Sequence, residues 1–239
     1  MRPRFAPTAE VLLASGVLLS RLPFLWPGYG ADPDAWRIAW AGHETARLGQ
    51  HLSSRAPGNP VLECAAAALS RSPAWALNAL TALLGCAAVV MFGALLRRLG
   101  CRTWLVGALA LAFVPVVAIH SCDSMDYVWG LAFLLGAWHA ALDRRPGFAG
   151  FLVGVAAGCR ITSLVMLAPL AIVVMAASGP ALGGRVRAVL ALWGVGVATA
   201  LAAFSPVIAL AGPGFLHGYE NGYPPLLYVA KNLTVDVWG

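Results

Sequence analysis

Two aspartates flanking a proline, Asp32-Pro33-Asp34, open the longest polar stretch of this chain and are the first residues in it whose type and spacing could do chemistry. Pro33 suits the first turn of a helix, where its missing N–H is no loss, and Asp34 to Leu48 is compatible with a helix. A purely structural account makes Asp32 an N-cap and Asp34 a first-turn acid favoured by the helix dipole. The local sequence gives that account and a chemical role about equal weight. Along the same helix Trp36, Trp40, His43 and Arg47 follow i, i+4, i+7, i+11 spacing and share a face. The tryptophans are best read as an anchor at a membrane interface.

Further along, Ser54-Arg55-Ala56-Pro57-Gly58-Asn59-Pro60 forms a rigid turn into a short apolar segment, Val61 to Leu69. Arg55 in that turn could fork onto a phosphate or pair with Glu63. A second acidic pair sits in His120-Ser121-Cys122-Asp123-Ser124-Met125-Asp126-Tyr127. If the segment is helical, His120, Asp123 and Tyr127 share a face, with Asp126 adjacent. Carboxylates this close to hydrocarbon are costly without partners, which favours a functional role. One His and two Asp could touch a divalent cation. They form no zinc signature, and an oxygen-rich site suits Mg or Mn. Arg160, in Gly158-Cys159-Arg160-Ile161-Thr162-Ser163, has either one of those carboxylates or a lipid phosphate as its natural partner.

The elements that must position these residues are apolar. The 239 residues are 60% hydrophobic and 11% charged, with mean hydropathy +0.77, which excludes an ordinary soluble chain. Disorder needs low hydrophobicity, and Cys64, Cys86, Cys101, Cys122 and Cys159 have no paired spacing, so a disulfide scaffold is excluded too. The net charge of +6 comes from arginines dispersed between apolar runs, an arrangement of membrane topology rather than nucleic-acid binding. Those runs lie at about Val11 to Trp26, Ala74 to Leu96, Trp104 to Ser121, Val128 to Leu142, Phe148 to Ala177 and Val186 to Ala211. The first reads as a retained anchor, because Tyr29-Gly30-Ala31 lacks the small residue at minus three that a cleavage site needs.

Phe148 to Ala177 is long for one crossing, and a charge at the centre of one lipid-exposed helix costs several kcal/mol. A break near Arg160 turns the piece into a short hairpin and brings the total to about seven membrane helices. Arg2, Arg4, Arg97, Arg98, Arg102, Arg144, Arg145, Arg185 and Arg187 then fall on one side, which the positive-inside rule makes the cytoplasm. Eight of the ten acids fall on the other, leaving Glu10 and Asp143. The expected fold is an all-α polytopic bundle, with interfacial helices in an outer loop over residues 28–60. Residues 1–211 form the membrane module and 212–239 an outer tail carrying His217, Tyr219, Glu220, Tyr223, Tyr228 and an Asn232-Leu233-Thr234 acceptor match. Arginine outnumbers lysine fifteen to one, a composition of GC-rich bacteria, so the expected location is a bacterial inner membrane with the N-terminus cytoplasmic.

In order and sidedness these features resemble the membrane module of the GT-C superfamily of glycosyltransferases, which use lipid-phosphate-linked sugars and include the protein O-mannosyltransferase and aminoarabinose transferase types. The resemblance rests on Asp32-Pro33-Asp34-Ala35-Trp36-Arg37, on Pro57-Gly58-Asn59-Pro60 leading into a short helix, on Asp123 to Tyr127, and on Gly158 to Ser163 with Pro169. It implies a general base at Asp34, with Asp32 the close alternative, and donor-phosphate contacts from Arg55 and Arg160. His120, Asp123 and Asp126 correspond to the second acidic motif, orienting substrate or holding a metal. The implied partners are membrane lipid, a polyprenyl-phosphate sugar donor and an acceptor the sequence does not identify, with no nucleic acid. The implied reaction is a single inverting displacement. Typical members continue past this module, so the chain is also compatible with a longer enzyme, with a non-catalytic subunit that relies on a partner subunit, and with a small-molecule transporter.

Overall fold

A computed structural model describes residues 8–212, and these are helices joined by turns, with no strand among the described residues. In chain order the helices are α1 (Thr8–Arg21), α2 (Pro33–Leu48), α3 (Pro60–Ala68), α4 (Ala74–Arg98), α5 (Trp104–Phe113), α6 (Pro115–His120), α7 (Tyr127–Leu142), α8 (Pro146–Cys159), α9 (Leu167–Ala177) and α10 (Leu182–Ala211). Single 3-10 stretches follow α1 at Leu22–Phe24 and join α8 to α9 at Ile161–Met166. The readings of the tail beyond Gly212 lie outside the described residues.

Proline sets many of these boundaries. Pro33, Pro60, Pro115 and Pro146 each occupy the first turn of a helix, where the fixed φ helps and no hydrogen bond is lost. The apolar run after Trp104 is divided by the same rule. Val114, next to Pro115, is pushed to an extended ψ of 127°, which the pyrrolidine ring requires of the residue before it. At the other end of α2, Gly49 adopts φ 69° and returns its N–H to the Thr45 carbonyl, a left-handed stop that glycine takes without strain.

The seven crossings are supported only at a coarser level. Among the described residues α4 and α10 are long and apolar enough to cross a membrane, while the other strongly apolar helices run 10–17 residues. Many apolar side chains point away from the bundle, among them Leu12, Leu19, Val106, Leu190 and Leu201. The chain does turn back at Arg160, where α8 ends and the backbone becomes extended, at φ −155° and ψ 109°.

The directions of the helices follow from what touches what. Gly150 lies against Leu192 and Gly196, Gly154 against Thr199, and Gly158 against Ala203. So α8 and α10 run the same way and α9 must run back between them. Gly150, Gly154 and Gly158 form a small-xxx-small stripe that lets the two backbones approach; a Cβ on Gly150 would stand 2.2 Å from the Leu192 carbonyl oxygen. Arg185 and Arg187, early in α10, therefore share an end of the bundle with Arg97, Arg98, Arg144 and Arg145. Glu10 pairs with Arg97 there and Asp143 with Arg98, so the two acids left over by the sequence neutralise part of the basic end.

The core is built in patches of Ala, Leu and Val. One patch joins α7, α8, α9 and α10 around Val153, Leu170 and Leu192, and a second joins α2, α3, α4 and α7 around Ile38, Leu62, Met125 and Val128. The second patch lies directly beneath the acidic residues and fixes the outer helices to the bundle.

Candidate functional site

Asp32 begins the site as a helix cap: its Oδ1 accepts the Asp34 N–H at 2.9 Å, satisfying one of the free donors of the first turn of α2. That holds Asp34 on the first turn, facing the bundle. Asp34 Oδ1 accepts from Arg37 at 2.9 Å and Oδ2 from Arg55 at 2.5 Å. Arg55 reaches it from the turn before α3, whose Ala56–Pro57 peptide is cis. The turn is tied down by Asn59. With its amide nitrogen oriented to satisfy both ends, Asn59 donates to the Cys159 carbonyl at 2.8 Å. The Arg55 turn is thus joined to the corner that carries Arg160.

The other nitrogen of Arg55 lies 3.6 Å from Asp126, and Arg160 donates to the same Asp126 oxygen at 3.1 Å. Asp126 is fully buried, while Arg55 and Arg160 keep partly open faces. The Arg160 guanidinium also sits 4.6 Å over the Tyr127 ring, a favourable cation–π placement. The result is a continuous chain of alternating charge, Asp34, Arg55, Asp126, Arg160, drawn from four separate stretches of sequence. Arg55 and Arg160 line a common cavity of about 220 Å³ with Pro57, Asn59 and Thr162. Two guanidiniums opening on one cavity are suited to bidentate contacts with phosphate oxygens.

The second acidic segment is not helical. Helix α6 stops at His120 and α7 starts at Tyr127, so the expected shared helix face does not form. A tight turn makes the contacts instead: His120 Nδ1 lies 3.7 Å from Asp123 Oδ2, and its ring is 4.6 Å from that of Tyr127. The first loop locks onto this turn. Ser124 donates its N–H to the Tyr29 carbonyl at 2.9 Å, and Asn78 of α4 donates to the Leu25 and Gly28 carbonyls while accepting from Ser124 Oγ. Gly30, at φ +125°, passes so close that a Cβ there would stand 2.1 Å from the Cβ of Asp123. Asp123 is buried, one of its oxygens has no partner, and burial raises its pKa above the usual carboxylate value.

The expected metal set does not fit this arrangement. Asp126 is engaged by two arginines and Asp123 faces His120, so the carboxylates do not converge on a common point. Among the described residues no group of three His, Cys, Asp or Glu side chains is placed to hold a metal ion, and no step below uses one. Arg55 does not pair with Glu63 either. Glu63 is buried in α3 and holds His51 at 3.0 Å while accepting from Ser54 N and Oγ. Sequence reading missed His51. It lies in the polar loop Gly49-Gln50-His51-Leu52-Ser53-Ser54, which carries no periodic signal, and Glu63 had a nearer cation in Arg55. Trp36 has a local task beyond anchoring, donating to the Gly30 carbonyl at 2.8 Å and bracing Tyr29 edge-on. Trp40 is exposed.

Comparisons with protein-family models, curated proteins and solved structures gave no match to this chain.

Proposed function

We propose that this chain is a multi-pass membrane glycosyltransferase that moves a sugar from a polyprenyl-phosphate donor to a hydroxyl acceptor, with its chemistry at the acidic end of the bundle. The observation that carries the reading is Arg55, which joins Asp34 to Asp126 and opens, with Arg160, on the 220 Å³ cavity. Such a reaction needs a carboxylate to take a proton and fixed positive charge where the leaving phosphate develops its own. Here the two are a single contact apart.

In the donor-bound enzyme Arg55 and Arg160 bind the phosphate oxygens. Arg55 is thereby drawn from Asp34 Oδ2, which becomes free to accept. The acceptor hydroxyl gives its proton to Asp34 as its oxygen attacks the anomeric carbon. The bond from that carbon to the donor phosphate breaks, and the polyprenyl phosphate leaves with the electron pair, held by the two guanidiniums. Asp126 stays behind as the buried counter-charge that keeps both arginines aimed. Asp32 serves as the cap that fixes the Asp34 backbone. Asp123 and His120 border the acceptor side. A bundle end at a membrane surface suits this substrate, because the prenyl chain stays in the bilayer while its head meets water. The opposite, basic end then faces the cytoplasm of a bacterial inner membrane.

The test is transfer by the full chain reconstituted in vesicles, with a panel of hexosyl and pentosyl polyprenyl phosphates as donors and host membrane extract as acceptor source. Asp34→Asn is expected to lower the rate by roughly 10²–10⁴-fold, the usual worth of a general base. Arg55→Gln and Arg160→Gln are expected to raise the donor KM. Undiminished transfer by D34N rejects the base assignment. Absence of transfer by the native chain across the panel rejects the enzyme reading in favour of a non-catalytic subunit.

A further inference from the structure

A different cavity, of about 450 Å³, shares no lining residue with the first and has Gly30 and Asp123 in its wall, together with Phe24, Pro27, Ala118 and Ile119. Its size is within the ~300–1,000 Å³ typical of ligand sites. The outer rim is apolar: Phe24 is 62% exposed and Ile119 56%. Deep in the cavity is a charge. Arg21, the last residue of α1, lines it and is only 4% exposed.

Arg21 is held in place without being neutralised. It donates to the Ala112 carbonyl and to Ser20 Oγ, and its guanidinium lies 5.3 Å over the Phe113 ring. Its Nε is buried with no partner. None of the ion pairs among the described residues includes it. A buried cation without a counter-ion is costly, whereas Arg55, Arg97, Arg98 and Arg160 are each paired with a carboxylate. The missing charge has to come from what fills the cavity.

We infer that this cavity binds an anionic membrane lipid, with the lipid phosphate on Arg21 and the start of one chain between Phe24, Pro27, Ala118 and Ile119. Arginine matches phosphate oxygens with planar donors and is less strongly hydrated than lysine, so it can serve at a depth where lysine would be pulled outward. The apolar rim supplies the route from the lipid phase. Asp123 at the inner wall does not oppose the anion. Its Oδ2 is set against His120 Nδ1 at 3.7 Å and burial raises its pKa above the usual carboxylate value, and both lessen its repulsion of an anion. The site is separate from the cavity of Arg55 and Arg160, and stands whether or not the chain transfers sugar.

The experiment is native mass spectrometry of the full chain in detergent, titrated with dioctanoyl phosphatidylglycerol, dioctanoyl phosphatidylcholine or inorganic phosphate. The expected result is a single saturable adduct with phosphatidylglycerol that phosphate does not displace. Loss of the charge-assisted contacts in Arg21→Gln should weaken that adduct by roughly tenfold or more, whereas Arg160→Gln should leave it unchanged. Ala118→Trp fills the chain slot without touching Arg21, and carries the test if R21Q does not fold. Equal binding of phosphatidylcholine, full displacement by inorganic phosphate, or native affinity in both R21Q and A118W would each overturn the inference.

Discussion

At the scale of single residues, the least expected feature is the buried pair of His51 and Glu63. Hydrogen bonding to Cys64 and to Glu63 raises the His51 pKa to about 9. In an unfolded chain the imidazole titrates near 6.5, so protonated His51 is a stabilising form. The sign follows from linkage. The contribution is complete below about pH 6.5, erodes as the unfolded chain loses its proton, and is gone above pH 9. Thermal unfolding in detergent should therefore show a Tm falling by several degrees between pH 6 and pH 9.5. Glu63→Gln should flatten that dependence, and an equally steep profile in the variant would sink the assignment. The same residues show the limit of sequence reading. Asp126 and Arg160 could be picked out because charge near hydrocarbon demands an explanation, and Asp34 and Arg55 because they stand at the helix start and the turn of the longest polar stretch. The pairing of Arg160 with a carboxylate of the second acidic segment was among the readings, and it is Asp126; the partners of Arg55 were not, since it had a nearer acid in Glu63 and reached past it.

At the scale of elements, the helices were legible because apolar runs bounded by proline, glycine and arginine leave few alternatives. The break at Arg160 was legible for the same reason, being the place where a charge could not remain inside a span. The segment from His120 to Tyr127 was misread. Its i, i+3, i+7 spacing fits a helix, but a six-residue turn satisfies its backbone otherwise, with Ser121 and Cys122 bonded back to α6, Met125 to Asp123 and Ser124 to Tyr29 of the first loop. The glycine stripe of α8 was visible as GxxxGxxxG and passed over, because in so apolar a run glycine reads as filler. Its importance shows only against α10. Gly154→Leu is expected to destabilise the bundle by about 1–3 kcal/mol through overpacking, as a Cβ there would already stand 2.4 Å from that of Thr199. Gly194, which has open space around it, should tolerate Ala with little change in Tm. Equal losses at the two positions would argue against close α8–α10 packing.

At the scale of the whole molecule, charge is sorted by end. The basic end holds Arg97, Arg98, Arg144, Arg145, Arg185 and Arg187, and the acidic end holds the chain from Asp34 to Arg160. This sorting was the part of the fold most legible in advance, since it depends on counting arginines rather than on packing. Two of the chain's own cysteines report on it. Cys64 is exposed near the acidic end and Cys101 follows the last turn of α4 at the basic end. In single-cysteine variants in intact cells, a membrane-impermeant maleimide is expected to label Cys64, and to reach Cys101 only after permeabilisation. The reverse pattern would invert the orientation and put the proposed chemistry in the cytoplasm.

The contact at Gly30 bears on how such a site could fail. The first loop and the turn of Asp123 meet main chain to side chain with no slack, so their separation is a fit tolerance set by one hydrogen atom. A methyl group at that joint works as a shim. It pries the two halves apart while every carboxylate and guanidinium remains in the protein, so the assembly can be disarmed with its full inventory of charges intact.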